Sequence, residues 1–417
     1  MRAMPKGWQF SSIADLFERD GGFVSDGDWI ESKDQDPNGN VRLIQLADVG
    51  EGIFLNKSSR FLTDKRAQEL RCCFLRQGDI LVARMPDPIG RACIFPGDNK
   101  PSITAVDVCI LRPPKSVNAK WLVATINSRW VRQRVEQQIS GTTRQRISRS
   151  GLCEIEFLLP PLDEQIEIAA ALDNWDVAVK TVEGILTTKF DLKRGLMQQL
   201  LTGKIRFKNF KNDSWRTVKI GALLAECDRY MTWSDDTAYR FASIRRRCGG
   251  LFDRGTFYGR EVKTKVLKSL KAGDFVISKR QVTHGAWAMV TKPFEGFGVS
   301  DEYDVLVNRD AKTLDMRFFN YLSQTRRLWH MAYLASNGVH IEKLIFDFDD
   351  FAKEKLKIPP TVEEQAMIVD VLSACDAEIK LLKKQLSALK DQKRGLMQKL
   401  LTGEVRVKCR NTETLKS

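Results

Sequence analysis

The chain has 417 residues, 43% of them hydrophobic and 29% charged, with 67 Lys and Arg against 53 Asp and Glu and a net charge of +14. That length buries more than one core, while the absence of an apolar run of roughly 18 residues and of a signal-peptide stretch near Met1 makes a cytoplasmic location the expectation. Cations gathered on one face attract polyanions and release their counterions, so nucleic acid is the leading partner class.

Residues 1–158 form a first body of mixed α and β character. The runs Gly78-Asp-Ile-Leu-Val-Ala-Arg84 and Val106-Asp-Val-Cys-Ile-Leu111 have strand length and are bounded by turn residues. Residues 159–206 hold a first long helix. Its start follows Pro160 and Pro161, its first turn is acidic, and Gly203 stands just past its end. Ile168, Leu172, Trp175, Val179, Val182 and Leu186 mark a seam at coiled-coil spacing.

Residues 207–357 form a second body, in which Gly273-Asp-Phe-Val-Ile-Ser-Lys279 echoes the Gly78 run, as Trp215, Ile220 and Leu223 echo Trp8, Ile13 and Leu16. Residues 358–408 hold a second long helix with the seam Ile368, Leu372, Cys375, Ile379, Leu382, Leu386 and Leu389, and residues 409–417 are expected to be a flexible tail. Thr361 and Glu364 have the spacing of a capping box. A helix of about 38 residues spans roughly 57 Å. Gly195 and Gly395 each cost about 1 kcal/mol relative to Ala inside a helix, so a break there, or the close approach of another backbone, is expected.

The two helical segments repeat each other. Asp191-Leu-Lys-Arg-Gly-Leu-Met-Gln-Gln-Leu-Leu-Thr-Gly203 returns as Asp391-Gln-Lys-Arg-Gly-Leu-Met-Gln-Lys-Leu-Leu-Thr-Gly403, an offset of 200 that extends upstream to Pro160 and Pro360. Between the bodies the offset wanders from 207 at Trp8 and Trp215 to 195 at Gly78 and Gly273, which points to one frame carrying different loops.

Chemistry of the chain's own is weakly signalled. The nine cysteines are scattered without C-x-x-C spacing, the three histidines are not spaced as ligands, and no metal site is expected. Phe294-Glu-Gly-Phe-Gly298 fits a short methyl-donor string, but no Asn/Asp-Pro-Pro-aromatic motif accompanies it. Asp253 with Glu261 and Lys263, or Asp28 with Glu31 and Lys33, mimics a nuclease pattern that arises easily in so charged a chain. There is no phosphate-binding G-x-x-x-x-G-K-[ST] loop.

The order body, Pro160-Pro-Leu-Asp-Glu-Gln165, Lys193-Arg-Gly-Leu-Met-Gln-Gln-Leu-Leu-Thr-Gly203, then the same again, resembles the specificity subunits of type I restriction-modification systems over nearly the whole chain. The second copy, Pro359-Pro-Thr-Val-Glu-Glu-Gln365, departs slightly. The resemblance implies an α+β fold of two target-recognition domains in a pseudo-two-fold tandem repeat, each followed by a long helix, the helices pairing as an antiparallel coiled coil. It implies a noncatalytic reader of a split double-stranded DNA site, with two methyltransferase and two restriction/translocase subunits as partners. S-adenosylmethionine, ATP and Mg are then expected on those partners, and no cofactor on this chain. The alternatives are an interaction scaffold without a DNA role and a self-contained modification or cleavage enzyme.

Base reading needs forked or paired donors, and phosphate contact needs cations. The candidates in the first body are Lys33, Gln35, Arg84 and the loop residues Arg144, Gln145, Arg146 and Arg149. In the second they are Arg245, Arg246, Arg247, Lys279, Arg280, Gln281 and His284. Glu164, Gln165, Arg194, Glu364, Gln365 and Arg394, at the ends of the helices, are candidates for contact with partner subunits.

Overall fold

The computed structural model describes residues 4–340 and 344–408; the tail expected at 409–417 lies outside them. Each predicted strand is present and central in its sheet. In the first body Ile80–Ala83 pairs antiparallel with Val108–Arg112 on one side and Ala92–Ile94 on the other, and Phe23–Ser25 completes a four-stranded sheet. In the second body Phe275–Ser278 holds the same place between Tyr303–Asn308 and Trp287–Met289, with Leu224–Glu226 at the edge. All four residues of either central strand are buried, as expected of runs that are apolar throughout in the first body and but for Ser278 in the second.

A second sheet differs between the bodies and explains the wandering offset. The first body has three short strands, Arg60–Leu62, Val41–Ile44 and Ser102–Thr104. The second has a long hairpin, Ala238–Ile244 with Leu251–Tyr258, joined to Gly298–Ser300 and to a further strand, Leu267–Ser269. A two-stranded clasp closes each body, Gln9–Ser11 with Phe157–Leu159 and Arg216–Lys219 with Lys355–Ile358.

The long helices run Leu162–Leu200 and Val362–Leu401, and Gly203 and Gly403 follow them with φ of 71° and 68°, the left-handed conformation that glycine supplies past a helix end. Neither helix breaks at Gly195 or Gly395, and a Cβ at either would meet nothing within 4 Å. Both expectations for these glycines are therefore corrected: the helix tolerates them, and no other backbone among the described residues approaches.

The chain divides into two compact units, one of Met1–Glu183 with Lys384–Ser417, the other of Gly184–Lys383. This division cuts each helix at mid-length rather than at the body boundaries near residues 158 and 357. Within the first unit, Asp176 pairs with Lys393 and Glu183 with Lys390; within the second, Asp376 pairs with Lys193 and Glu378 with Lys189. Ascending numbers on one helix meet descending numbers on the other, so the helices pair antiparallel. Their seams are apolar and covered: Ile168, Leu172, Val179, Val182, Ile368, Leu372 and Ile379 are buried. Leu400 and Leu401 share a core with Trp8 and Ile168, and Leu200 and Leu201 share one with Trp215 and Ile368. Each unit thus packs its own helix start against the end of the other repeat's helix.

Candidate nucleic-acid interface

In the first body, Gly141 at φ 93° turns the chain so that Ser140 and Arg146 exchange backbone hydrogen bonds of 3.0 Å. A Cβ on Gly141 would lie 2.5 Å from the Arg144 carbonyl oxygen, so the turn needs glycine. The amide of Ile147 then donates to the carbonyl of Arg84, which fixes the arginine loop to the end of the central strand. Arg144 and Arg146 are exposed and in no ion pair with a described residue. Arg149, half-exposed, lies 3.6 Å from Asp26, and Gln145 lines a cavity of about 200 Å³ with Arg132 and Glu136.

The second body repeats this geometry with other residues. The amide of Phe346 donates to the carbonyl of Lys279, as Ile147 does to Arg84. Arg245, Arg246 and Arg247 form the exposed tip of the long hairpin. The amides of Arg247 and Cys248 donate to the carbonyls of His284 and Gly285, and the Arg246 guanidinium donates to Gln281 Oε1. Two sequence clusters that lie 32 residues apart therefore form one basic edge.

Several candidates are occupied from within. Arg84 is 3% exposed, pairs with Asp26 at 3.1 Å and donates to the Val106 carbonyl, so it holds the strand end and has no face for a base. Lys279 lies 3.1 Å from the buried Asp304, and Arg280 pairs with Glu302. Burial pushes the Asp304 carboxyl up against the pull of Lys279, while the Arg280 hydrogen bond holds Glu302 below the usual carboxylate range. Lys33 pairs with Glu31 at 2.6 Å, and half-buried Gln35 accepts from Arg60. A cation already paired must exchange one anion for another to bind phosphate, which leaves Arg144, Arg146 and Arg245 to Arg247 as the better-placed charges.

Sequence reasoning passed over Arg254 and weighed Lys263 only as part of a nuclease-like pattern, not as a DNA contact. They line a cleft of about 290 Å³ with Phe257, Ser300 and Tyr303 beside the long hairpin. The signal was one basic residue, Arg254, set among the aromatics Phe252, Phe257 and Tyr258 of Leu251–Tyr258, with Arg254, Phe257 and Tyr258 exposed.

The helix-end candidates fare differently. Glu164, Gln165, Glu364 and Gln365 are at most 2% exposed. Glu164 accepts from the Trp8 indole and, in two hydrogen bonds, from Arg406; Glu364 does the same with Trp215 and Arg206. Gln165 accepts from the amide of Asn118, and Gln365 from that of Asp315, the caps of helices Ala119–Ile126 and Met316–Leu322. These four side chains fasten each body to its helix and present no surface to a partner, which removes them from the candidate interface. Arg194 and Arg394 stay exposed and, among the described residues, pair with Asp191 and Asp391 one turn back.

The residues of the weak catalytic signals are also engaged elsewhere. Phe294 and Phe297 flank a turn between strands, Asp253 pairs with Arg240, and Glu261 caps its own turn. Asp28 accepts from the amide of Cys73, and burial pushes its carboxyl up to about 6. Among the described residues no cluster of three or more His, Cys, Asp or Glu could hold a metal, and no helix is long and apolar enough to cross a membrane.

The family model for the type I restriction modification DNA specificity domain matches residues 5–188 and 226–391. A putative type I restriction enzyme MjaX specificity subunit of Methanocaldococcus jannaschii is 23% identical, covering 97% of this chain and 95% of its own length. The S subunit structure from M. genitalium matches at a TM-score of 0.54 and 15% identity over 96% of this chain and 97% of that one. A structure described under type I R-M complex assembly and conformational transition matches at 0.58 and 14% identity over 97% and 100%. With two matched domains on two bodies of like fold, and a basic edge on each, the chain belongs to the specificity subunits of type I restriction-modification systems.

Proposed function

We propose that this chain reads a two-part site on double-stranded DNA, one part with each body, and that the long helices set the spacing between the parts. The observation that carries this reading is a basic edge on each body: in the first, an exposed arginine loop fastened to Arg84 at the end of the central strand, and in the second, an exposed arginine hairpin tip fastened to His284 and Gly285 in the turn that follows the central strand. Two like frames with unlike reading loops suit a bipartite site whose halves differ. The uninterrupted helices of 39 and 40 residues support the spacing role.

In this reading the chain is the noncatalytic member of a cytoplasmic complex with two methyltransferase and two restriction/translocase subunits. S-adenosylmethionine, ATP and Mg belong to those subunits. The test is methylome sequencing of a host expressing this chain with its cognate methyltransferase, beside a variant lacking residues 207–357. A split motif that disappears in the truncated variant supports the reading. No chain-dependent motif, in a complex shown to assemble, refutes it in favour of an interaction scaffold.

A further inference from the structure

The helix pairs contain two kinds of contact. Asp176–Lys393 at 2.5 Å and Asp376–Lys193 at 2.6 Å are one pair written twice, and so are Glu164–Arg406 and Glu364–Arg206, both at 2.7 Å. Such contacts are indifferent to which repeat supplies which side. The other contacts are not. Glu183 pairs with Lys390 at 2.7 Å, but the equivalent positions hold Lys383 and Phe190, where the ammonium lies 5.1 Å from the ring centroid. Lys189 pairs with Glu378 at 2.6 Å, whereas the equivalents, Leu389 and Ala178, are half-buried and uncharged.

We propose that these four repeat positions form a heterotypic code: the first long helix accepts the second and rejects a copy of itself, and the second likewise. Two first helices in the same register would set Glu183 against Phe190 twice, a carboxylate facing the electron-rich ring. Two second helices would set Lys383 against Lys390 twice, and Glu378 against Leu389. The indifferent pairs hold the register in every combination, so selection falls to the four positions. Ion pairs and cation–π contacts at exposed helix positions each change an equilibrium only a few-fold, and like charges oppose it by similar factors. Summed over the pairing, the preference for unlike helices is on the order of tenfold or more. The code depends on the repeat and its contacts alone, and stands whether or not the bodies read DNA as proposed above.

The first test uses the intact chain. Glu183→Lys places two ammonium groups together and is expected to lower the thermal midpoint; adding Lys390→Glu is expected to restore it. The second test cleaves the folded full chain at a protease site inserted in the exposed segment Lys211–Ser214, passes it through denaturant and back, and counts pairings by native mass spectrometry. Unlike halves are expected to outnumber like halves at least tenfold, and Lys383→Glu to raise self-pairing of the second half several-fold, because it then faces Lys390. A statistical mixture of pairings, or a double variant no more stable than Glu183→Lys, overturns the proposal. The rescue is read in the uncleaved chain, so its failure overturns the proposal even where separated halves do not refold.

Discussion

Replacing Glu364 with alanine tests whether the Pro-Pro-x-x-Glu-Glu-Gln signature is structural. The carboxylate is 1% exposed and receives the Arg206 guanidinium through two hydrogen bonds of 2.8 and 2.7 Å, with the Trp215 indole at 3.3 Å. Removing one member of a buried pair costs about 3–5 kcal/mol, because the other charge is left without a partner. Arg206 keeps 13% of its side-chain exposure and a hydrogen bond to the Asp213 carbonyl, so water recovers part of that cost and about 3 kcal/mol is expected. For a unit of this size each kcal/mol moves the midpoint by roughly 2–4 °C, which predicts a fall of about 6–12 °C by scanning calorimetry of the isolated chain. Arg394→Ala removes only an exposed one-turn pair and serves as the control, with a shift near zero. A Glu364→Ala shift no larger than the control's would refute the structural role and return the residue to the partner interface.

Other consequences follow from the same contacts. Burial pushes the Glu164 carboxyl up, but the hydrogen bonds from Arg406 and Trp8, with the guanidinium charge, outweigh it and hold the group below its ordinary 4.5. A depressed carboxylate stabilises the fold above the unfolded value and loses that contribution as pH falls through the folded one. Acid titration of the midpoint is therefore expected to be shallower below pH 4.5 in Glu164→Gln than in the parent. Gly195→Ala and Gly395→Ala meet open space inside a helix and are expected to raise stability by up to about 1 kcal/mol each, read as the midpoint in urea. Inserting about seven residues after Leu186 should lengthen the gap in the methylated motif without changing its halves; an unchanged gap would count against the helices as the spacer.

The helices were legible because their signals are local and redundant: seam spacing, first-turn acids, terminal glycines and a repeat at fixed offset all agree. The central strands were legible for a similar reason, since a strand buried on both faces is apolar nearly throughout, Ser278 being the one polar residue in either. What the spacing of Glu164, Gln165, Glu364 and Gln365 hid was their partners. Arg406 lies 242 residues from Glu164, and a polar residue at a helix start has the same sequence signature whether it caps, binds a partner or, as here, fastens a body to its helix. Arg84 and Lys279 misled in the same way. A basic residue at the end of a strand signals charge, but the acids that neutralise these two, Asp26 and Asp304, come from elsewhere in the chain. The meeting of Arg246 with Gln281 was visible only as two separate basic clusters, because the hairpin tip of one sheet and the turn after a strand of another are brought together by tertiary packing and not by their spacing.

The most direct test of the bipartite account is the methylome produced by two loop variants, Arg144→Ala with Arg146→Ala in the first body and Arg246→Ala with Arg247→Ala in the second, each assembled with the cognate methyltransferase. The account predicts that each variant relaxes or loses one half of the split motif and spares the other, and that the two variants affect opposite halves. Loss of both halves together in either variant, or an unchanged motif in both, would contradict it.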